Sequence, residues 1–184
     1  MARGSSLVRM PSQRFDETIL PHLNAAYNYA RWLTRNDAEA EDVVQDACVR
    51  AMRFFDSFRG DDARSWLMAI VRNTWYTRAA RHAPVTELNP MAKPAHEPVD
   101  DALDPEALLL QQDAVERVRD GLHQLPVDFR EVIVLREIEG LSYKEIAAVI
   151  NAPIGTVMSR LARARERLLA ALQHAPAAPV EDAR

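Results

Sequence analysis

The chain has 184 residues, 48% of them hydrophobic, with 23 Lys and Arg against 27 Asp and Glu for a formal net charge of −4. That balance belongs to a folded soluble protein and excludes a disordered chain; no apolar run reaches the roughly 18 residues of a membrane span, and the basic stretch 1–11 lacks the apolar core of a secretion signal. Cys48 is the only cysteine, so one chain can form neither an intrachain disulfide nor a Cys-based zinc cluster, and a reducing cytoplasm is the expected compartment.

β-branched and aromatic runs are short and there are only five glycines to make turns, so the sequence predicts an all-α fold. Helices are expected over 12–34, with a break near Pro21, over 37–56 and over 62–82. Residues 14–82 hold ten arginines and ten acids, yet these are sorted: "DAEAEDVVQD" (37–46) has five acids and no base, while 64–81 has Arg64, Arg72, Arg78 and Arg81 and no acid. The acids open the second helix, where they complement its dipole. Val43, Ala47, Met52 and Phe55 are expected close to one face of it, with Arg50 and Arg53 on others. Gly60 makes 57–61 a loop. The segment 83–105 contains five prolines, five acids and one lysine, and reads as an extended acidic linker. Two small helical domains follow, 12–82 and 106–173, flanked by tails at 1–11 and 174–184.

In the second domain "PEALLLQQDAVERVRDGLHQL" (105–125) and "PVDFREVIVLREIEG" (126–140) predict two helices, the latter stopped by Gly140. "LSYKEIAAVI" (141–150) carries Ser142 and Glu145 at capping-box spacing. After a turn at 151–155, Val157, Leu161, Ala164 and Leu168 form one apolar stripe. Two short helices joined by a tight turn, the second with a basic outer face, predict a helix-turn-helix whose second helix enters the DNA major groove. Met158, Ser159, Ala162 and Arg163 then lie on outward or flanking faces. Arginine bonds guanine bidentately, which suits Arg163, while Arg160, Arg165, Arg167 and Thr156 are candidates for phosphate.

"GLSYKEIAAVINAPIGTVMSRLARARERL" resembles the C-terminal promoter-binding domain of extracytoplasmic-function (ECF) sigma factors of the sigma-70 family. "DAEAEDVVQDACVRAMRFF" is similar to that family's polymerase-binding helix, and "SFRGDDARSWLMAIVRNTWYTRAARH" to its −10 recognition loop and helix. The resemblance covers about residues 14–82 and 106–172 in the family's order. It implies a transcription initiation factor in which 12–82 is sigma region 2 and 106–173 sigma region 4. Glu41, Asp42, Gln45 and Asp46 would dock on the β′ clamp coiled coil of core RNA polymerase. Phe58, Arg59, Gly60, Asp61, Arg72, Asn73 and Tyr76 would take the single-stranded non-template −10 element. Thr156, Met158, Ser159, Arg160, Ala162, Arg163, Arg165 and Arg167 would read the −35 duplex, with region 4 also meeting the β flap. Met158 stands where a basic residue is common in the family, and an apolar or shape-based contact is expected there. The linker would occupy a polymerase channel meant for nucleic acid. The factor would act as a monomer on polymerase, in the cytoplasm without direct membrane contact, and an anti-sigma factor is an implied partner that could hold it at the inner membrane.

No enzyme, cofactor or metal is expected. The five histidines show no H-E-x-x-H or i,i+4 pairing, and no glycine-rich phosphate loop exists. Two other readings remain open to the residues alone. One is an autonomous helix-turn-helix regulator with an N-terminal interaction domain, binding palindromes as a dimer. The other is an adaptor protein, which leaves the arginine helix unused.

Overall fold

The structure, a computed structural model, describes residues 11–60, 62–82 and 105–174. These form eight α-helices and no strand. α1 (Pro11–Ile19) runs into a 3₁₀ turn at Leu20–His22, where Pro21 interrupts the expected long helix, and α2 (Leu23–Thr34) continues from it. α2 stops at Arg35, which takes a left-handed conformation (φ 61°). Asn36 then caps α3 (Asp37–Phe54), its side-chain oxygen accepting from the Glu39 N–H at 3.0 Å, with Asp37 and Glu39 in the first turn beside the positive helix end.

The buried face of α3 is Ala40, Val43, Ala47 and Ala51, a run spaced three, four and four. This corrects the expected face at one position: Met52 is 64% exposed, because 43 to 52 is two and a half turns and carries the side chain round to the outside. Ala51 takes the inward place, and Phe55 in the following 3₁₀ turn is buried as expected. The three alanines let α3 lie close to α2 and α4 (Ala63–His82), which it packs against. Asp62 accepts from the Ser65 N–H at 2.9 Å as α4 begins, and Leu67, Met68, Val71 and Thr74 point into the core.

The second cluster comprises α5 (Pro105–Gln124), α6 (Val127–Ile133), α7 (Tyr143–Ile150) and α8 (Ile154–His174). α6 widens into a π-helical turn over Val134–Ile138 that closes with the Glu139 N–H on the Val134 carbonyl at 2.9 Å. Gly140, at φ +67°, ends it with a conformation that a side chain would strain. Gly121 lets α5 press on α8, since a Cβ there would stand 2.9 Å from Leu168 Cδ1.

The clusters are not held apart. α4 packs on α7 and α2 on α6, and their buried residues join in one hydrophobic core. The expected linker, apart from Pro105, and the tail residues 1–10 and 175–184 lie outside the described residues.

Candidate nucleic-acid interface

The helix-turn-helix is built locally. The Ser142 hydroxyl accepts from the Glu145 N–H at 3.3 Å and the Glu145 carboxylate accepts from the Ser142 N–H at 2.6 Å, so the capping box is complete. Asn151, left-handed at φ 51°, ends α7, and the Pro153 carbonyl accepts the Thr156 and Val157 N–H groups at 2.9 and 3.2 Å to start α8. Val157, Leu161 and Ala164 are buried and Leu168 packs at the edge of the core, as the stripe predicted. That anchoring fixes the opposite face: Met158, Ser159, Ala162 and Arg163 are exposed, Met158 at 53%.

The four arginines of α8 are not equivalent. Arg165 donates to Glu137 at 2.6 Å, and the Arg167 guanidinium lies 4.5 Å from the centre of the Phe129 ring. Arg160 reaches Glu131 at 3.5 Å and Asp128 at 3.7 Å. Arg163 is exposed and makes no hydrogen bond or ion pair with any described residue. The exposed Arg165–Glu137 pair and the Arg167 stack are each worth roughly 1 kcal/mol or less, so a phosphate can compete with them. Arg163 has nothing to give up.

The −10 candidates divide between loop and helix. The Phe58 ring is half-buried 5.0 Å from Trp66 and 6.2 Å from Phe55, so Trp66 serves as packing in an aromatic cluster. Arg59 and Gly60 are exposed beside it, and Asp61 lies outside the described residues. On α4, Asn73 is exposed, whereas Arg72 and Tyr76 face the second cluster. Arg72 grips Glu131 with two bonds, Nε at 2.8 Å and Nη2 at 3.1 Å, and lies 4.5 Å from the centre of the Tyr76 ring. Burial and then the charge of Glu131 push the Tyr76 hydroxyl up to about 12, and this hydroxyl stands 3.5 Å from Asp128.

Glu41, Asp42, Gln45 and Asp46 are all exposed on α3. Arg78 of α4 bridges two of them, at 2.6 Å to Asp46 and 3.0 Å to Asp42. The sorting of charge along the sequence is therefore partly self-neutralising in space.

Residues that sequence reasoning passed over lie where the clusters meet. Glu131 is wholly buried; burial pushes its carboxyl up while Arg72 holds it down. Glu139 accepts from Arg64 at 2.5 Å. Arg130, buried and drawn down to about 10 by burial and Arg35, donates to the Trp32 carbonyl at 2.9 Å and the Leu125 carbonyl at 3.3 Å. Trp32 faces His123 at 5.0 Å. Burial, then the charges of Arg130, Arg35, Arg119 and Arg31, lower His123 to about 4. The signal available was an acid in the middle of "DFREVIV", where the neighbours Val132 and Ile133 are core and a solvent-facing charge is out of place. Among the described residues no group of three or more His, Cys, Asp or Glu could hold a metal ion, and no helix is long and apolar enough to cross a membrane.

Residues 18–84 match the family model for Sigma-70 region 2, and residues 116–168 that for Sigma-70, region 4. The ECF RNA polymerase sigma-E factor of Escherichia coli (strain K12) is 39% identical over 137 residues, covering 71% of this chain and 72% of the relative. That of Haemophilus influenzae is 38% identical over 147 residues, covering 75% and 76%. Among solved structures, the sigma factor RpoE in complex with the anti-sigma factor NepR from Bartonella quintana matches at a TM-score of 0.69 and 28% identity, over 89% of this chain and 99% of the other. CnrH in complex with the cytosolic domain of CnrY matches at 0.61 and 28% identity, over 88% and 89%.

Proposed function

This chain belongs to the extracytoplasmic-function (ECF) sigma factors of the sigma-70 family, and from that premise we propose how its residues divide the work of directing RNA polymerase to promoters. It is a specificity factor, and RNA synthesis is left to the polymerase. Residues 12–82 bind the β′ clamp through Glu41, Asp42, Gln45 and Asp46, and take melted −10 bases with Phe58, Arg59, Gly60, Asp61, Arg72, Asn73 and Tyr76. Residues 106–173 bind the −35 duplex with α8 and meet the β flap. Thr156, Arg160, Arg165 and Arg167 hold phosphate, while Ser159, Ala162 and Arg163 face base edges and Met158 makes an apolar contact. The acidic segment 83–105 crosses the polymerase between the two domains. The factor works in the cytoplasm, one copy per polymerase, and an anti-sigma factor is its regulator; one of the similar solved structures was captured with the anti-sigma factor NepR.

The observation that carries this reading is the contrast on α8: one arginine exposed and unengaged at its centre, three others tethered around it to acids or an aromatic ring. A base reader needs a side chain that leaves nothing behind, and phosphate contacts tolerate weakly held ones. The test is to add the protein to core polymerase, capture the bound members of a random promoter library, and sequence them. Two sequence blocks at fixed spacing support the division of labour. A single palindromic block, captured equally well without polymerase, refutes it.

A further inference from the structure

On an α-helix, residues four apart line up as one ridge. The exposed side of α8 carries two such ridges, side by side. One is Gly155, Ser159 and Arg163, which holds the polar groups proposed to face base edges. The other is Ile154, Met158 and Ala162, exposed and wholly apolar, with Ile154 at 46% and Met158 at 53%. The core takes Val157, Leu161 and Ala164 from other ridges, so Ile154 and Met158 are left outside it. Between the two ridges, the space before the first turn of α8 is open: a Cβ added to Gly155 would meet nothing within 4 Å. The N-terminal residues of a recognition helix are the ones that meet base edges, and Ile154 is the first residue of α8.

A major-groove base edge offers hydrogen-bond donors and acceptors and a single bulky apolar group, the C5-methyl of thymine. Isoleucine and methionine side chains set against the donors and acceptors would strip them of water and give no strong hydrogen bond in return. Against the methyl they lose nothing. Residues four apart on a helix are separated by about 6 Å along its axis, close to two base steps at about 3.4 Å each. We propose that Ile154 and Met158 form a methyl-reading edge: each packs on the C5-methyl of one thymine in the −35 element, the two thymines lying within about two base steps of each other. The proposal rests on the entry of α8 into the −35 major groove. 5-Methylcytosine carries its methyl at the same place in the groove, so this edge also makes promoter choice sensitive to cytosine methylation at those two positions.

The test uses polymerase assembled with the full chain and promoters recovered from the library. Each thymine of the −35 block, on either strand, is replaced in turn by deoxyuridine, which removes the methyl and keeps the base pairing, and binding is measured by competition. Loss of one buried methyl predicts binding about fourfold weaker at each of two positions. Ile154→Ala and Met158→Ala should each abolish the deoxyuridine penalty at one of those positions and keep it at the other. Cytosine at either position should bind less well than thymine, and 5-methylcytosine should regain about fourfold over cytosine. Deoxyuridine that is neutral at every position overturns the proposal with the unaltered chain alone, whether or not the variants fold. Penalties that persist undiminished in both variants, with melting temperatures unchanged, overturn it too, as does a −35 block without A·T pairs. Failure of the α8 reading itself is distinct: base-pair changes throughout the −35 block would then leave binding unchanged.

Discussion

Arg163→Ala is the sharpest single substitution in this protein. The side chain is exposed and touches no described partner, so removing it should leave folding stability within about 0.5 kcal/mol. A lost bidentate contact with a guanine costs about 1–3 kcal/mol of discrimination at the base pair concerned. That converts to roughly 5- to 150-fold in the ratio of preferred to altered promoter, confined to one or two −35 positions. Arg160→Ala is the internal contrast. It removes contacts at 3.5 Å to buried Glu131 and 3.7 Å to Asp128, so a stability loss of about 1 kcal/mol accompanies uniformly weaker promoter binding. The assay is thermal melting of both variants, paired with competitive transcription by the assembled polymerase on promoters altered one −35 base at a time. Uniform weakening by Arg163→Ala across all promoters would make Arg163 a phosphate contact and refute the reasoning from its unengaged state.

Stability should also depend on pH through His123. Its value of about 4 in the folded chain lies below the ordinary 6.5, so the folded state binds fewer protons than the unfolded chain. The stabilisation is therefore complete above about pH 6.5 and lost as pH falls towards 4; between pH 7.5 and 5 the loss is about 2 kcal/mol. Urea unfolding across that range should show it, and His123→Gln should flatten the profile; an unchanged slope would rule out His123 as its source. In α3, Ala51→Leu should cost about 1–3 kcal/mol by overpacking a fully buried site. Met52→Ser should stay within about 0.5 kcal/mol, and the reverse ranking in thermal melts would restore the face predicted from sequence.

Much of this architecture was legible because its causes are local. The break at Pro21, the capping box at Ser142, the stop at Gly140 and the stripe from Val157 to Leu168 each follow from neighbouring residues, and each is present. Met52 comes five residues after Ala47, a step that leaves the helical stripe, whereas Ala51, four residues on, keeps it and suits the close packing of α3. The exposed positions of α8 followed from the stripe, but the distinction among its arginines did not, since it depends on where Glu137, Phe129 and Glu131 arrive in space. The meeting of the two clusters was invisible for the same reason. Arg72 and Glu131 are 59 residues apart, and nothing in either local pattern announces the other. Likewise, the acidic stretch on α3 and the basic stretch on α4 looked like separate surfaces for separate partners, yet Arg78 ties them together.

The role proposed for this chain is to give core polymerase its choice of promoter. Multi-round transcription with purified core polymerase, with and without the protein, tests it on templates recovered from the library. Starts are expected at fixed positions downstream of paired −35 and −10 blocks only when the protein is present. No promoter-dependent start, together with no binding to core polymerase, would contradict it.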